Sequence, residues 1–196
     1  MSATGSVPRG RRGLERRGWW AAAGVLGVVL LLWLVPAIVN DAMADEAVSP
    51  VDANATYRLV SDDGAKATVR PDASWSARAQ KSGPNLVFHT DGTVIVAQIF
   101  ADVDAIDRFW DRQARVSQAA SPPEWAQRQG DYTTATGMTG PTGTITGSQT
   151  EGERYLLASS RKPHTILAFD IIGPPGALDD PAPQFDRFLD SAKVTS

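Results

Sequence analysis

The sequence predicts an α+β domain, an antiparallel sheet flanked by helices, carried behind one N-terminal transmembrane helix. Three observations point there: an uncharged apolar run of bilayer length, an Asp-Gly hairpin between two β-rich arms, and two segments with apolar residues at helical spacing. The 196 residues leave room for one domain and a short appendage, and 42% hydrophobic with 21% charged residues is a globular balance. Cysteine is absent, which removes disulfides, thiolate metal sites, a cysteine nucleophile and lipidation at a lipobox. With only His89 and His164, a multi-histidine metal centre is excluded as well.

The net charge of −3 averages two unlike parts. Residues 1–18 carry five arginines (Arg9, Arg11, Arg12, Arg16, Arg17) against Glu15, a balance of +4, and the chain after Asn40 carries −7. Between them the 21 residues Trp19 to Val39 would span roughly 30 Å as a helix, the thickness of a hydrocarbon core. The positive-inside rule then keeps 1–18 in the cytoplasm, makes 19–39 the membrane helix and places the rest outside the cell membrane. Ala42-Met43-Ala44 has the small residues of a signal-peptidase site, but the apolar run exceeds the usual signal length, which favours an uncleaved anchor. Arg11-Arg12 is explained by topology more simply than by a twin-arginine signal. Fifteen arginines against four lysines, with abundant alanine, is the usage of a GC-rich bacterial genome.

Residues 40–55 are small and acidic with no apolar period and read as a juxtamembrane linker, so the folded domain is assigned to 56–196. Tyr57 to Val60 is a strand closed by the turn Ser61-Asp62-Asp63-Gly64, Ala67 to Val69 is a second, and Trp75 to Gln80 alternates like a third. Leu86 to Thr90 and Thr93 to Phe100 flank Asp91-Gly92, the pair favoured in a type I′ hairpin turn. The second arm is apolar on both faces and is expected to be a central strand covered on both sides. Asp102 is a candidate N-cap for a helix to about Gln118, burying Val103, Ile106, Phe109, Trp110, Gln113, Ala114 and Val116 before Ser121-Pro122-Pro123 ends it. Glu124 to Gln129 is a short turn of helix or a strand, and the threonine- and glycine-rich stretch 133–150 favours strands around Met138 and Ile145. Arg154 to Ser159 and Thr165 to Ile172 form an antiparallel pair, Gly173-Pro174-Pro175-Gly176 breaks the sheet, and a last helix starts near Asp180-Pro181 with Phe185, Phe188, Leu189 and Ala192 on one face.

This order resembles the Mog1/PsbP-like α/β/α sandwich and is similar in plan to small actinobacterial envelope proteins of the LpqN type. The residues that carry the resemblance are Val69-Arg70-Pro71 to Trp75, the Asp91-Gly92 hairpin, Gly143 to Arg154, Ile166 to Gly173 and Phe185 to Ser191. It covers about Thr56 to Val194 and implies helices on both sides of one sheet. It also implies a binding or assembly role; the family shares no catalytic constellation, so it transfers no site residues.

The residues themselves offer little chemistry. Ser159-Ser160-Arg161-Lys162 matches S-x-x-K in form but lacks the companion motifs of a serine nucleophile and precedes Pro163. Asp102, Asp104, Asp107 and Asp111 do not follow a calcium-loop spacing and suit a helix N-terminus. No G-x-S-x-G accompanies the histidines, and Glu151 and Glu153, which share a sheet face, read as solvated charge rather than a hydrolytic pair. The Gly-Pro loops lack a phosphate-loop lysine, and an acidic outer domain does not suit nucleic acid. No cofactor or metal is implied. Two loops are candidates for a binding surface: Pro122-Pro123-Glu124-Trp125, a tryptophan on a proline-stiffened segment, and Gly173 to Pro183. Each has a plainer explanation, a tryptophan folded back onto the core and an ordinary connection.

The expectation is therefore a single-pass, extracytoplasmic accessory protein of a bacterial envelope, without catalytic activity. Pro122, Pro123 and Trp125 are its candidate partner-binding residues, and the bilayer and a protein are its partners. The alternative is a small-molecule or lipid carrier with an apolar pocket between the sheet and the helix at 102–118.

Overall fold

Asp91 and Gly92 both adopt positive φ, 41° and 79°, as a type I′ turn demands, and they close the hairpin of β6 (Asn85–Thr90) and β7 (Thr93–Phe100). In this computed structural model residues 48–78, 81–160, 162–178 and 183–195 are described, without the side chains of Lys162 and Pro163. The hairpin sits inside an eight-stranded antiparallel sheet of order β1-β4-β6-β7-β11-β10-β9-β8. Its other members are β1 (Val48–Pro50), β4 (Ser76–Arg78), β8 (Glu124–Thr133), β9 (Met138–Gly147), β10 (Glu151–Ser159) and β11 (Lys162–Gly173). The expected pair of 154–159 and 165–172 is β10 and β11, each longer than its apolar run because the ladder continues through polar residues. The stretch 133–150 contributes one strand, β9, rather than two pieces.

One face of the sheet receives α1 (Ile106–Ala119). Phe109 and Trp110 bury against Leu156 of β10 and Ile166 and Ala168 of β11. Three details differ from the sequence expectation. Asp102 is not the N-cap: it takes a left-handed turn at φ 54°, the Val103 N–H bonds to the His164 carbonyl, and only then, with Ala105 as N-cap, does the helix begin. Ala105 supplies no side-chain acceptor. Val116, expected on the buried face, is 61% exposed, because the sheet covers a narrower stripe of the helix.

The opposite face carries α2 (Pro183–Ser191) and a four-stranded sheet of order β12-β3-β2-β5. Its strands are β2 (Tyr57–Val60), β3 (Lys66–Val69), β5 (Ser82–Gly83) and β12 (Lys193–Thr195). Phe185, Phe188, Leu189 and Ala192 are buried as expected, and Phe188 stacks within 5.1 to 5.6 Å of Trp75, Phe88 and Phe169. The helix–sheet–helix layering expected from the resemblance is thus modified: α2 shares its layer with a second small sheet. The cap proposed at Asp180-Pro181 lies outside the described residues.

The domain boundary also moves. Val48–Pro50, assigned to the linker 40–55, is β1 and pairs with β4, and Val51 is buried with its N–H on the Trp75 carbonyl. A three-residue strand is too short to show an apolar period. The N-terminus 1–18 and the apolar run 19–39 lie outside the described residues, among which no helix is long and apolar enough to cross a membrane.

Candidate functional site

β7 alternates buried and half-buried residues along its whole length. Toward α2, Ile95 and Ala97 are fully buried; on the other face Val94 and Val96 are only half-buried, so the expectation of cover on both sides holds for one. The reason is the placement of α1, which packs over β8, β9 and β10, reaches β11 at Ile166 and Ala168, and meets β7 at its Phe100 end. Cross-strand register then aligns Val87 of β6 with Val96, and Ile172 of β11 with Val94, all half-buried on the α1 side. Val116 lies on the flank of α1 away from β8: Asp107 reaches β8 through its bond to Arg128, and nine residues, or two and a half turns, turn exposed Val116 to the opposite side of the helix. The result is a band of β-branched aliphatic side chains on a rigid central strand. Sequence reasoning found its composition, in the two-sided apolar pattern of 93–100, but assigned it to the core.

The sequence-predicted candidates lie elsewhere. Pro122, Pro123 and Trp125 are exposed where the chain enters β8, Trp125 by 54%, so the tryptophan does not fold back onto the core. It stands on the α2 side, opposite Thr146, in a row that continues to Glu151; Gln127, Thr144 and Glu153 form the next row. The structure does not bring this polar platform and the aliphatic band together, because they occupy opposite faces.

The carboxylates of the platform are already engaged. Glu153 accepts a hydrogen bond from the Tyr155 hydroxyl, and Glu151 accepts one from the Gly176 N–H at 3.2 Å. Burial, reinforced by Glu153, pushes the Tyr155 hydroxyl far above its ordinary pKa. Tyr132 packs edge-on against Tyr155 at 5.1 Å, and burial with Asp186 and Asp190 nearby pushes it up to about 12. Neither tyrosine is set to exchange protons near neutrality.

On the α1 face Arg154 is 6% exposed and grips Asp170 directly across β10–β11, Nε to Oδ1 at 2.7 Å and Nη2 to Oδ2 at 2.8 Å. Nη2 also donates to Ser117 Oγ of α1 at 3.2 Å, whereas the buried Nη1 meets no acceptor among the described residues. Burial opposes the guanidinium charge and Asp170 more than offsets it, leaving the arginine pKa raised.

The remaining candidates fall into ordinary places. Ser159 borders an open hollow of about 400 Å³ with Thr136, Ser160 and Lys193. His89 lies within β6, and His164 Nδ1 is 3.1 Å from the Val103 carbonyl. Asp107 is held by Arg128 at 2.6 Å, and among the described residues no three His, Asp or Glu side chains gather to hold a metal. The space between the sheet and α1, expected as a carrier's pocket, is filled by Phe109, Trp110, Leu156 and Ile166. A hollow of about 220 Å³ opens at the helix entrance, around Phe100, Asp102 and Arg112.

No protein-family model matches the sequence, and no similarity to a curated protein was found. Among solved structures, the solution structure of cyanobacterial PsbP (CyanoP) from Synechocystis sp. PCC 6803 is similar with a TM-score of 0.46 and 13% identity, covering 76% of this chain and 98% of that one.

Proposed function

We propose that the chain is a membrane-anchored, extracytoplasmic accessory protein of a bacterial envelope that binds another protein and has no catalytic activity of its own. The anchor and its orientation rest on the uncharged run 19–39 between flanks of +4 and −7. Binding rests on one observation: Val87, Val94, Val96 and Ile172 form a half-buried aliphatic strip across β6, β7 and β11, while the other face of β7 is buried. Apolar bands on a rigid sheet suit the buried centre of a protein interface, and the polar residues around this one would form its rim. The filled space under α1 favours this over a carrier for a small molecule or lipid.

Replacing Val96 with a photo-crosslinking amino acid in the full chain, in membranes of the native host, tests the proposal. A discrete protein adduct is expected at position 96 and absent at Asp62, and Val94→Lys should abolish it. Adducts to lipid alone, or equal labelling at both positions, would overturn it. Turnover of peptidoglycan or esters that is lost in Ser159→Ala or Glu151→Ala would overturn the non-catalytic part.

A further inference from the structure

β8 is the long edge of the large sheet: ten residues that pair with β9 on one side, whereas β1 at the opposite edge has three. Which of its main-chain groups face outward follows from the β9–β10 hairpin. The Gly147 N–H bonds to the Thr150 carbonyl, so odd residues of β9 turn toward β10 and Thr144 and Thr146 turn toward β8. Their partners Gln127 and Trp125 therefore direct N–H and C=O to β9. The glycine opposite Arg128 agrees: a Cβ on Gly143 would stand 2.1 Å from the Gln127 carbonyl oxygen. Glu124, Ala126 and Arg128 consequently present N–H and C=O away from the sheet. This stretch contains no proline, and the irregularity in β8 begins only between Arg128 and Gly130. Long edges without proline or bulge are templates for another strand.

We propose that β8 pairs antiparallel with β8 of a second copy, on a two-fold axis through Ala126. In this register Ala126 faces Ala126 of the partner subunit, and Glu124 faces Arg128 of the partner subunit on both sides of the axis. All three opposed pairs are of the hydrogen-bonded kind, which joins the two sheets through six main-chain bonds. The Arg128 guanidinium, whose Nη1 and Nη2 hold Asp107 and Asp131 within its own chain, sets a positive charge opposite Glu124 of the partner subunit on both sides of the axis. The competing two-fold registers are worse. Centring on Trp125 sets Arg128 against Pro122, which has no N–H, and centring on Gln127 runs Glu124 into the irregularity at Gly130. Centring on Glu124 or Arg128 opposes like charges. Ala126 also puts the smallest side chain of the stretch on the axis. The aliphatic strip around Val96 lies on β6, β7 and β11, away from this edge, so self-pairing and partner binding stand or fall separately.

Because the chain has no cysteine, a single introduced one reports on the pairing. Residues opposed in a hydrogen-bonded pair have Cα atoms about 5.5 Å apart, within disulfide reach. In full-length protein in membranes, mild oxidation of Ala126→Cys should give a covalent dimer, and Thr133→Cys, seven residues from the axis, should give none. Arg128→Glu or Glu124→Arg should each lower the Ala126→Cys dimer yield at least fivefold, and both together should restore it. Equal dimer from positions 126 and 133, or no recovery in the double exchange, would overturn the proposal. So would a full chain without substitutions that sediments as a monomer in detergent at every concentration, a measurement that does not depend on the variants folding.

Discussion

Arg154 carries a buried, paired charge on the α1 face of the sheet. It sits among Leu156 and Ala158 on the same side of β10, and its charge is held by two parallel bonds to Asp170. Removing one partner of such a pair strands the other charge, at a cost of about 3–5 kcal/mol, while replacing both with apolar residues is far milder. Asp170→Ala should therefore lower the urea midpoint sharply, and Arg154→Met with Asp170→Leu should recover most of the loss; equal damage from both would mean that the pair supplies packing rather than charge. The tyrosines give the domain an alkaline limit. Tyr132 and Tyr155 have folded pKa values raised above the unfolded value, so the folded state favours the neutral hydroxyls. Their stabilisation is fully present below about pH 10, the ordinary tyrosine pKa, and is lost as pH rises toward about 12 for Tyr132. Chemical denaturation across that window should show falling stability, with a shallower fall in Tyr132→Phe.

At the scale of the element, local signals were legible and long-range ones were not. The Asp91-Gly92 hairpin stands where the sequence predicts it, because a two-residue turn fixes its own register. Gly92 has φ 79°, a conformation that a side chain strains, so Gly92→Val should cost about 1–2 kcal/mol of stability even though the site is open to solvent. Helix α1 was legible in its body and not at its start. Asp102 has the right chemistry for a cap, but the bond from Val103 to the His164 carbonyl, which no local pattern reveals, delays the helix by three residues. Ala105 already has the extended backbone of an N-cap, φ −147° and ψ 120°, without a side-chain acceptor. Ala105→Ser should then stabilise the domain by about 1 kcal/mol, read as a raised urea midpoint with unchanged slope; no gain would mean that solvent already satisfies the helix entrance. Val116 and Val96 were misplaced for a related reason. Periodicity shows which residues share a face, not how much of that face a neighbouring element covers.

At the scale of the whole molecule the N-terminal boundary turns on pairing between distant segments. The acidic composition of 40–55 reads as linker, yet β1 joins β4 across more than twenty residues of sequence. The consequences are more than cosmetic. Val51 is 4% exposed and its N–H bonds to the carbonyl of Trp75, the ring that Phe88, Phe185 and Phe188 surround. Asp52 adds an exposed ion pair to Lys81 at 2.9 Å, which contributes little. Burying a valine is worth about 1.5–3 kcal/mol and the main-chain bond about 1 kcal/mol more, out of a total stability of about 5–15 kcal/mol for a domain of ordinary size. A chain beginning at Ala47 should thus unfold cooperatively with the full stability of the folded domain. One beginning at Thr56 should lose about 3 kcal/mol, with its midpoint in urea lowered. If the two chains instead unfold at the same urea concentration, β1 and Val51 are dispensable and the fold begins at β2, as the composition alone suggests.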